Sequence, residues 1–210
     1  TYQFAQGAAA GNLTEVGIAT AATGGSLFSR ALILDGAGNP TSITVLSDEI
    51  LQVDYQLRLY PPTSDVVGSI TISGNNYDYT LRATSVTSDS IWVISSSGTT
   101  GGGTTSTSAH RAYETQTLGP ITESPSGASS VASAVGNFSY VTGTFYRDYT
   151  VQWGLTAGNF TLGIGSIRSL QGSSTGGFGG IQMNFTPRIP KDNTKILSIT
   201  FRHAWAIHTI

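Results

Sequence analysis

Two stretches of strict two-residue alternation set the class of fold. In the first, Leu51, Val53, Tyr55, Leu57 and Leu59 share one face, while Gln52, Asp54, Gln56 and Arg58 share the other. In the second, Leu197, Ile199, Phe201, His203, Trp205 and Ile207 alternate against Ser198, Thr200, Arg202 and Ala204. A period of two sends successive side chains to opposite faces of an extended backbone, so each run predicts a half-buried strand. Further strands are expected at 27–34, 43–46, 91–95, 138–146, 160–167 and 181–185. A hairpin is expected where 69–72 and 77–81 flank Gly74, Asn75 and Asn76, residues that tolerate positive φ. The only helix-like stretch, 129–134, is short and Ser-rich and reads as a loop or a single turn. Many short strands punctuated by Gly, Asn and Pro predict an all-β chain of antiparallel sandwich or jelly-roll-like modules.

Composition narrows the function classes. The 210 residues include 29 Thr, 26 Ser and 26 Gly, and only 10% are charged, against roughly 25% in ordinary globular domains. Too few charges are present to solvate the outer faces of a helical bundle or coiled coil. A net charge of −2 offers no basic footprint for phosphate backbones, which argues against nucleic acid as a partner. The absence of Cys excludes disulfide scaffolds, thiolate zinc sites and Cys nucleophiles, and leaves the redox compartment open. No apolar stretch approaches the roughly 20 residues that span a bilayer, so membrane insertion is not expected. The opening at Thr1, without Met or a signal-like segment, reads as a trimmed, mature or partial chain.

Residues 95–108 are a run of Ser, Gly and Thr without an apolar side chain until Ala109. Such a segment buries too little to offset its ordering entropy and predicts a linker or loop. The expected organisation is therefore an N-terminal module at 1–95, a linker at 96–110 and a C-terminal module at 111–210. A second loop is expected at the Gly-rich 171–180.

The chain also repeats itself. Residues 1–4 (TYQF) resemble 150–153 (TVQW), and 10–14 (AGNLT) resemble 157–161 (AGNFT). Phe28 is echoed by Phe178, and Ile50, Leu51 and Val53 by Ile196, Leu197 and Ile199. The offsets of 149, 147, 150 and 146 residues are nearly constant, which predicts an internal duplication with units at 1–60 and 149–207.

Chemistry-bearing residues are sparse. His203 falls on the apolar face of the last strand, where a satisfied buried imidazole is commoner than a ligand; His110 borders the linker and His208 is almost terminal. No spacing suits zinc, and with 26 Ser residues a coincidental Ser-His-Asp set carries no weight. Glycan cleavage needs two carboxylates a few ångströms apart. The acids to consider are Asp48, Glu49, Asp54, Asp65, Asp78, Asp89, Glu114, Glu123 and Asp148, of which the adjacent Asp48 and Glu49 read as turn formers. No calcium loop or phosphate loop is spelled out. Asn12, Asn137, Asn159 and Asn184 begin sequons of a kind expected by chance in so Ser/Thr-rich a chain. Tyr77, Tyr79, Tyr140, Tyr146, Tyr149, Trp92, Trp153 and Trp205 are potential sugar-stacking platforms, with Trp153 and Trp205 read as core or subunit interface. No residue is assigned a catalytic, cofactor-binding or metal-ligating role, and the chain is read as non-enzymatic and free of cofactors.

The strings at 12–18 (NLTEVGI), 27–49 (LFSRALILDGAGNPTSITVLSDE) and 53–62 (VDYQLRLYPP) resemble a recurring segment of tailed-bacteriophage virion structural proteins of the tail-fibre or tail-tip type. The resemblance covers about the first 65 residues, the C-terminal copy more weakly, and not the middle. It implies a homo-oligomeric part of an extracellular particle; the repeat offset adds the expectation of a trimer or a hexameric ring, in which a duplicated unit matches threefold to sixfold tail symmetry. It also implies contacts with other tail proteins and with a host surface glycan or receptor, and it transfers no site residue. The alternatives are a head decoration or head-fibre protein and a secreted carbohydrate-binding adhesin module.

Overall fold

The structure is a computed structural model that describes residues 1–19, 27–56, 58, 60–87, 107–136, 139–140, 143–173, 176–204 and 206. The described chain is almost wholly strand and turn, and it divides into two compact units, Thr1–Leu57 and Arg58–Ile210. Among the described residues no helix is long and apolar enough to cross a membrane.

The first unit contains β1 (Tyr2–Gln3), β2 (Gly11–Leu13), β3 (Glu15–Ala19), β4 (Leu27–Leu32), β5 (Ile43–Val45) and β6 (Gln52–Val53). They pair as nested antiparallel ladders, β3 with β4, β2 with β5 and β1 with β6, so the chain runs out and returns beside itself. In β1 and β6 the register sets Tyr2 opposite Val53 and Gln3 opposite Gln52. No pair gains a third strand, and Val45 is the one buried residue among those described in this unit. Leu57 and Leu59 lie outside the described residues; over 51–56 the expected alternation survives as exposure, with Leu51, Val53 and Tyr55 half-buried and Gln52, Asp54 and Gln56 exposed, but among the described residues only Gln52–Val53 is strand. Alternation gives the face; a strand as long as the pattern also needs a neighbour of equal length, and β1 supplies two residues.

The second unit contains β7 (Val66–Ile72), β8 (Asn75–Ala83), β9 (His110–Tyr113), β10 (Ser129–Val131), β11 (Ala134–Val135), β12 (Ser139–Tyr140), β13 (Tyr146–Trp153), β14 (Ile164–Ser173), β15 (Gly176–Ile189) and β16 (Leu197–Ala204). A six-stranded antiparallel sheet has the order β10-β9-β14-β15-β8-β7; in a four-stranded one β13 pairs with β11 and β12 and, separately, with β16. Both sheets contribute to one apolar core. Tyr149, Val151, Trp153, Leu197, Ile199 and Phe201 come from β13 and β16, and Tyr77, Ala112, Ile164, Ile167, Met183, Phe185 and Ile189 from the larger sheet. The reverse face of β13 and β16 is closed by polar pairs directly across the ladder: Arg202 on Asp148 through two bonds of 2.9 Å, Thr150 on Thr200 at 2.9 Å, and Gln152 on Ser198 at 3.1 Å.

Several expectations shift. Strands 66–83 lie in the same sheet as 110–113 and 164–189, so the division after Leu57 does not coincide with the expected modules 1–95 and 111–210. Of the expected linker 96–110, residues 96–106 lie outside the described residues, as does the strand expected at 91–95; Thr107–Ala109 form a 3-10 turn and His110 begins β9. The hairpin turn sits on Ser73 and Gly74, at φ 49° and 79°, while Asn75 and Asn76 already belong to β8. A two-residue turn with both φ values positive matches the twist of the flanking strands, and Thr71 holds Asn76 across the ladder at 2.6 Å. Within the Ser-rich 129–134, Ser129–Val131 and Ala134 are strand rather than loop or helical turn, paired to β9 and β13, while 132–133 form the bend between them. The Gly-rich 171–180 continues β14 and β15, with Gly172 opposite Gly177, since ladder hydrogen bonds need no side chain. Strands expected at 138–146 and 160–167 begin instead at Ser139, Tyr146 and Ile164.

Phe185 is fully buried among both sheets. Phe185→Ala should destabilise the second unit by about 3–5 kcal/mol, through lost burial and the cavity it leaves. A urea titration followed by tyrosine and tryptophan fluorescence measures this.

Candidate functional site

Polar side chains gather in four places in the second unit. The first is inside the core. The alternation of β14 aims Ser169 inward beside Ile167, and the register of β9 sets His110 opposite Ser169. Ser169 Oγ lies 2.8 Å from His110 Nδ1 and 2.8 Å from the Tyr149 hydroxyl, with all three residues at most 2% exposed. A serine and a histidine in contact resemble half of a nucleophilic pair, but a sealed core admits no substrate and the third member here is a phenol. The arrangement acts as a satisfied polar link between the two sheets.

The second place lies across the outer face of the six-stranded sheet. Arg111, Arg168, Gln182 and Arg82 stand in one row across β9, β14, β15 and β8, because the register pairs Arg111 with Arg168, Arg168 with Gln182 and Gln182 with Arg82. The segment 115–124 is strapped over this row. Gln182 accepts from the Gly119 amide at 2.8 Å and donates towards the carbonyls of Ala83, Gly119, Pro120 and Glu123 at 3.0–3.2 Å. Arg82 donates to Gly119 O at 3.0 Å, Asn184 to Gln116 O at 3.1 Å and Arg168 to the Ser124 hydroxyl at 3.2 Å. Arg82 also grips Asp65 with two bonds of 2.7 Å, which holds that carboxyl below its usual range and raises the guanidinium. Arg168 has no such partner among the described residues: its Nε is buried without an acceptor, and burial, aided by the Arg111 charge, lowers its proton affinity.

A third cluster closes the bend before β16. Lys191, 6% exposed, donates from Nζ to Gly154 O at 2.7 Å, Asn159 Oδ1 at 2.8 Å and Asp192 O at 3.4 Å. Burial pushes this ammonium down, and the Asp192 charge partly restores it. Asp192 accepts from the Thr194 hydroxyl and amide and pairs with Lys195 at 3.2 Å; these bonds, the hydroxyl first, hold its carboxyl at about 2.

The fourth is an open groove of about 450 Å³ along β7, β8 and β15, lined by Val67, Gly68, Ser69, Asp78, Tyr79, Thr80, Asn184 and Thr186. The Tyr79 ring lies close over Gly68: a Cβ there would lie 2.6 Å from the Tyr79 hydroxyl and the ring would have to move aside.

The residues singled out in the sequence are mostly dispersed. Asp48 and Glu49 are exposed in a turn where Glu49 accepts from the Leu46 amide at 2.7 Å. Asp54 is held by the Thr1 hydroxyl, Asp65 and Asp148 by arginines, and Glu114 accepts from the Leu162 amide at 2.9 Å. Glu123 contributes its backbone carbonyl to the strap, and Asp78 lines the groove. Among the described residues no three His, Asp or Glu side chains gather as a metal site. His203 is half-buried, and burial lowers its proton affinity. Tyr77, Tyr149 and Trp153 are core, Tyr146 lies under the Arg202 guanidinium at 3.8 Å, and Tyr79 forms the groove wall. Asn12, Asn159 and Asn184 are hydrogen-bonded within the chain. Asp89, Trp92, Trp205, His208 and Asn137, with the side chain of Tyr140, lie outside the described residues. The string 172–176 (GSSTG) spells a nucleophile-elbow pattern, yet its flanks are two antiparallel strands rather than a strand and a helix. The arginine row and its strap went unread in the sequence, since four strands distant along the chain supply it. Comparison of the chain with protein families, curated proteins and solved structures found no match.

Ser169→Ala removes a partner from both His110 and Tyr149 and should cost about 1–3 kcal/mol, read as a lowered thermal midpoint. Asp192 titrates in the folded chain at about 2, below the roughly 3.9 of an unfolded aspartate. Its stabilising contribution is therefore complete above about pH 4 and lost as pH falls towards about 2. A carboxyl NMR titration should place the midpoint at the low value, and Asp192→Asn should abolish that part of the acid sensitivity.

Proposed function

We propose that this chain is a non-enzymatic structural component of a bacteriophage virion, most readily of the tail, that works as a homo-oligomer. The observation that carries the reading is the character of the first unit: two-stranded ladders with a single buried residue among those described and several large apolar side chains exposed. Tyr2 is 65% exposed and Leu27 59%. Two-stranded ladders are marginal in water by themselves, so such a surface suits a part finished by assembly. The 10% charge content and the sequence resemblance point the same way. The same reading takes the second unit as a two-sheet sandwich and the two units as copies of one motif. In support, Tyr2 opposite Val53 and Gln3 opposite Gln52 correspond, at the repeat offsets, to Val151 opposite Ile199 and Gln152 opposite Ser198.

A second reading, a carbohydrate-binding adhesin, draws on the Tyr79 groove with its Asp78 and Asn184 hydrogen-bonding groups. Mass photometry separates the two. The virion reading expects particles of three or six times the 21.9 kDa chain mass, and chain counting in intact phage expects the same multiple. A monomer at all concentrations that binds a glycan array favours the adhesin.

A further inference from the structure

We propose that the first unit, Thr1–Leu57, is an assembly arm that docks on the second unit of a neighbouring copy, a head-to-tail contact rather than a pairing of arm with arm. The inference rests on the homo-oligomer reading and adds the two surfaces that meet. Three observations carry it.

The first is the exposed apolar surface. Leu34, Leu46 and Ile50, like Tyr2 and Leu27, are more than half exposed, and the unit has no core against which to turn them. The second is charge. The first unit has five acidic residues, Glu15, Asp35, Asp48, Glu49 and Asp54, against Arg30 alone, a net of four negative charges. The second unit has nine basic residues against seven acidic, a net of two positive charges. Arm against arm brings like charges together; arm against second unit brings opposite ones together.

The third is the unpaired charges on each side. Arg111 and Arg168 are direct cross-strand neighbours whose bonds go to neutral oxygens. Arg168, beneath the strap, donates to the Ser124 hydroxyl at 3.2 Å and to Ser108 O at 3.3 Å, and half-exposed Arg111 to the Ser129 hydroxyl at 3.2 Å. The ion pairs of the described residues leave both without a carboxylate. Like charges directly opposite on a ladder destabilise it, and an acidic partner would offset that cost. The arm supplies one: Asp48 is exposed between Leu46 and Ile50, its backbone carbonyl takes the Gln6 side-chain amide at 3.1 Å, and the ion pairs of the described residues do not include its carboxylate. The equivalent ladder in the second unit indicates the kind of cover the apolar part takes, since Val151, Trp153, Leu197 and Ile199 are buried against an antiparallel sheet of this same chain. A head-to-tail contact repeats around a ring when its rotation closes, which an isologous contact does not do.

Four proteins spanning residues 1–210 test this: the natural chain, two arm variants (Ile50→Asp and the milder Asp48→Lys) and a seat variant (Arg111→Glu). Sedimentation velocity across a concentration series is the readout, and the near-ultraviolet circular dichroism of each variant reports whether the second unit stays folded. The natural chain should assemble, and raising salt from about 0.05 M to about 0.5 M should weaken assembly. Each variant alone should need at least about tenfold more protein to assemble, equivalent to about 1.4 kcal/mol. Mixing arm and seat variants should restore a heteromeric species, because each retains the surface the other has lost. Assembly of the seat variant at natural strength, a mixture that stays monomeric, or assembly strengthened by salt would each overturn the head-to-tail contact while leaving a homo-oligomer in place. A natural chain that never assembles overturns both.

Discussion

Trp153, Val151 and Tyr149 along β13, and Leu197, Ile199 and Phe201 along β16, form the apolar half of a single ladder whose other half is Asp148, Thr150, Gln152 and their polar partners. Removing those six side chains from water requires further apolar surface, and Tyr77, Ala112, Ile164, Ile167, Met183, Phe185 and Ile189 of the larger sheet share one buried cluster with them. The rest of the second unit follows from that demand. The Ser169, His110 and Tyr149 contact is tolerated inside because its polar atoms satisfy one another. The outer face of the larger sheet carries Arg82, Arg168, Gln182 and Asn184; Arg82, Gln182 and Asn184 donate to carbonyls of 115–124, and Arg168 donates to the Ser124 hydroxyl.

The first unit obeys the same local rules without that resolution. Its strands alternate and pair in register, yet among the described residues each ladder has two strands. The contrast is physical rather than compositional, since both units are rich in Thr, Ser and Gly and poor in charge. Long central strands such as β15, with 14 residues, give neighbours on both sides something to pair with. The longest strand described in the first unit has six residues. An unclosed ribbon with its apolar side chains outward suits an object whose final surface includes other molecules.

Legibility in the sequence varied with the range of the interaction involved. The half-burial of Leu51, Val53 and Tyr55 and the alternating burial of Leu197–Ala204 could be read directly, because facing depends only on backbone period. The β7–β8 hairpin was legible too, with its turn one residue early: Ser73 takes the positive φ that Asn would have taken more readily. The strand at Ser129–Val131 was not legible, since its pairing with Arg111–Tyr113 is decided by a partner some twenty residues away. The strap over Gln182 was still less so, joining Ala83, Gly119 and Glu123 to a side chain about sixty to a hundred residues distant.

By itself the sequence determined the all-β class, the faces of its main strands and the poverty of charge, because periodicity and composition are properties of adjacent residues. Only the tertiary structure decided which strands adjoin, that residues 66–83 join the sheet of 110–113 and 164–189, and that apolar side chains of the second unit are buried where many of those described in the first are exposed. Strand adjacency is a contest among many edges with similar hydrogen-bonding capacity. The winner is set by how much apolar surface the whole arrangement removes from water, a sum that no local pattern contains.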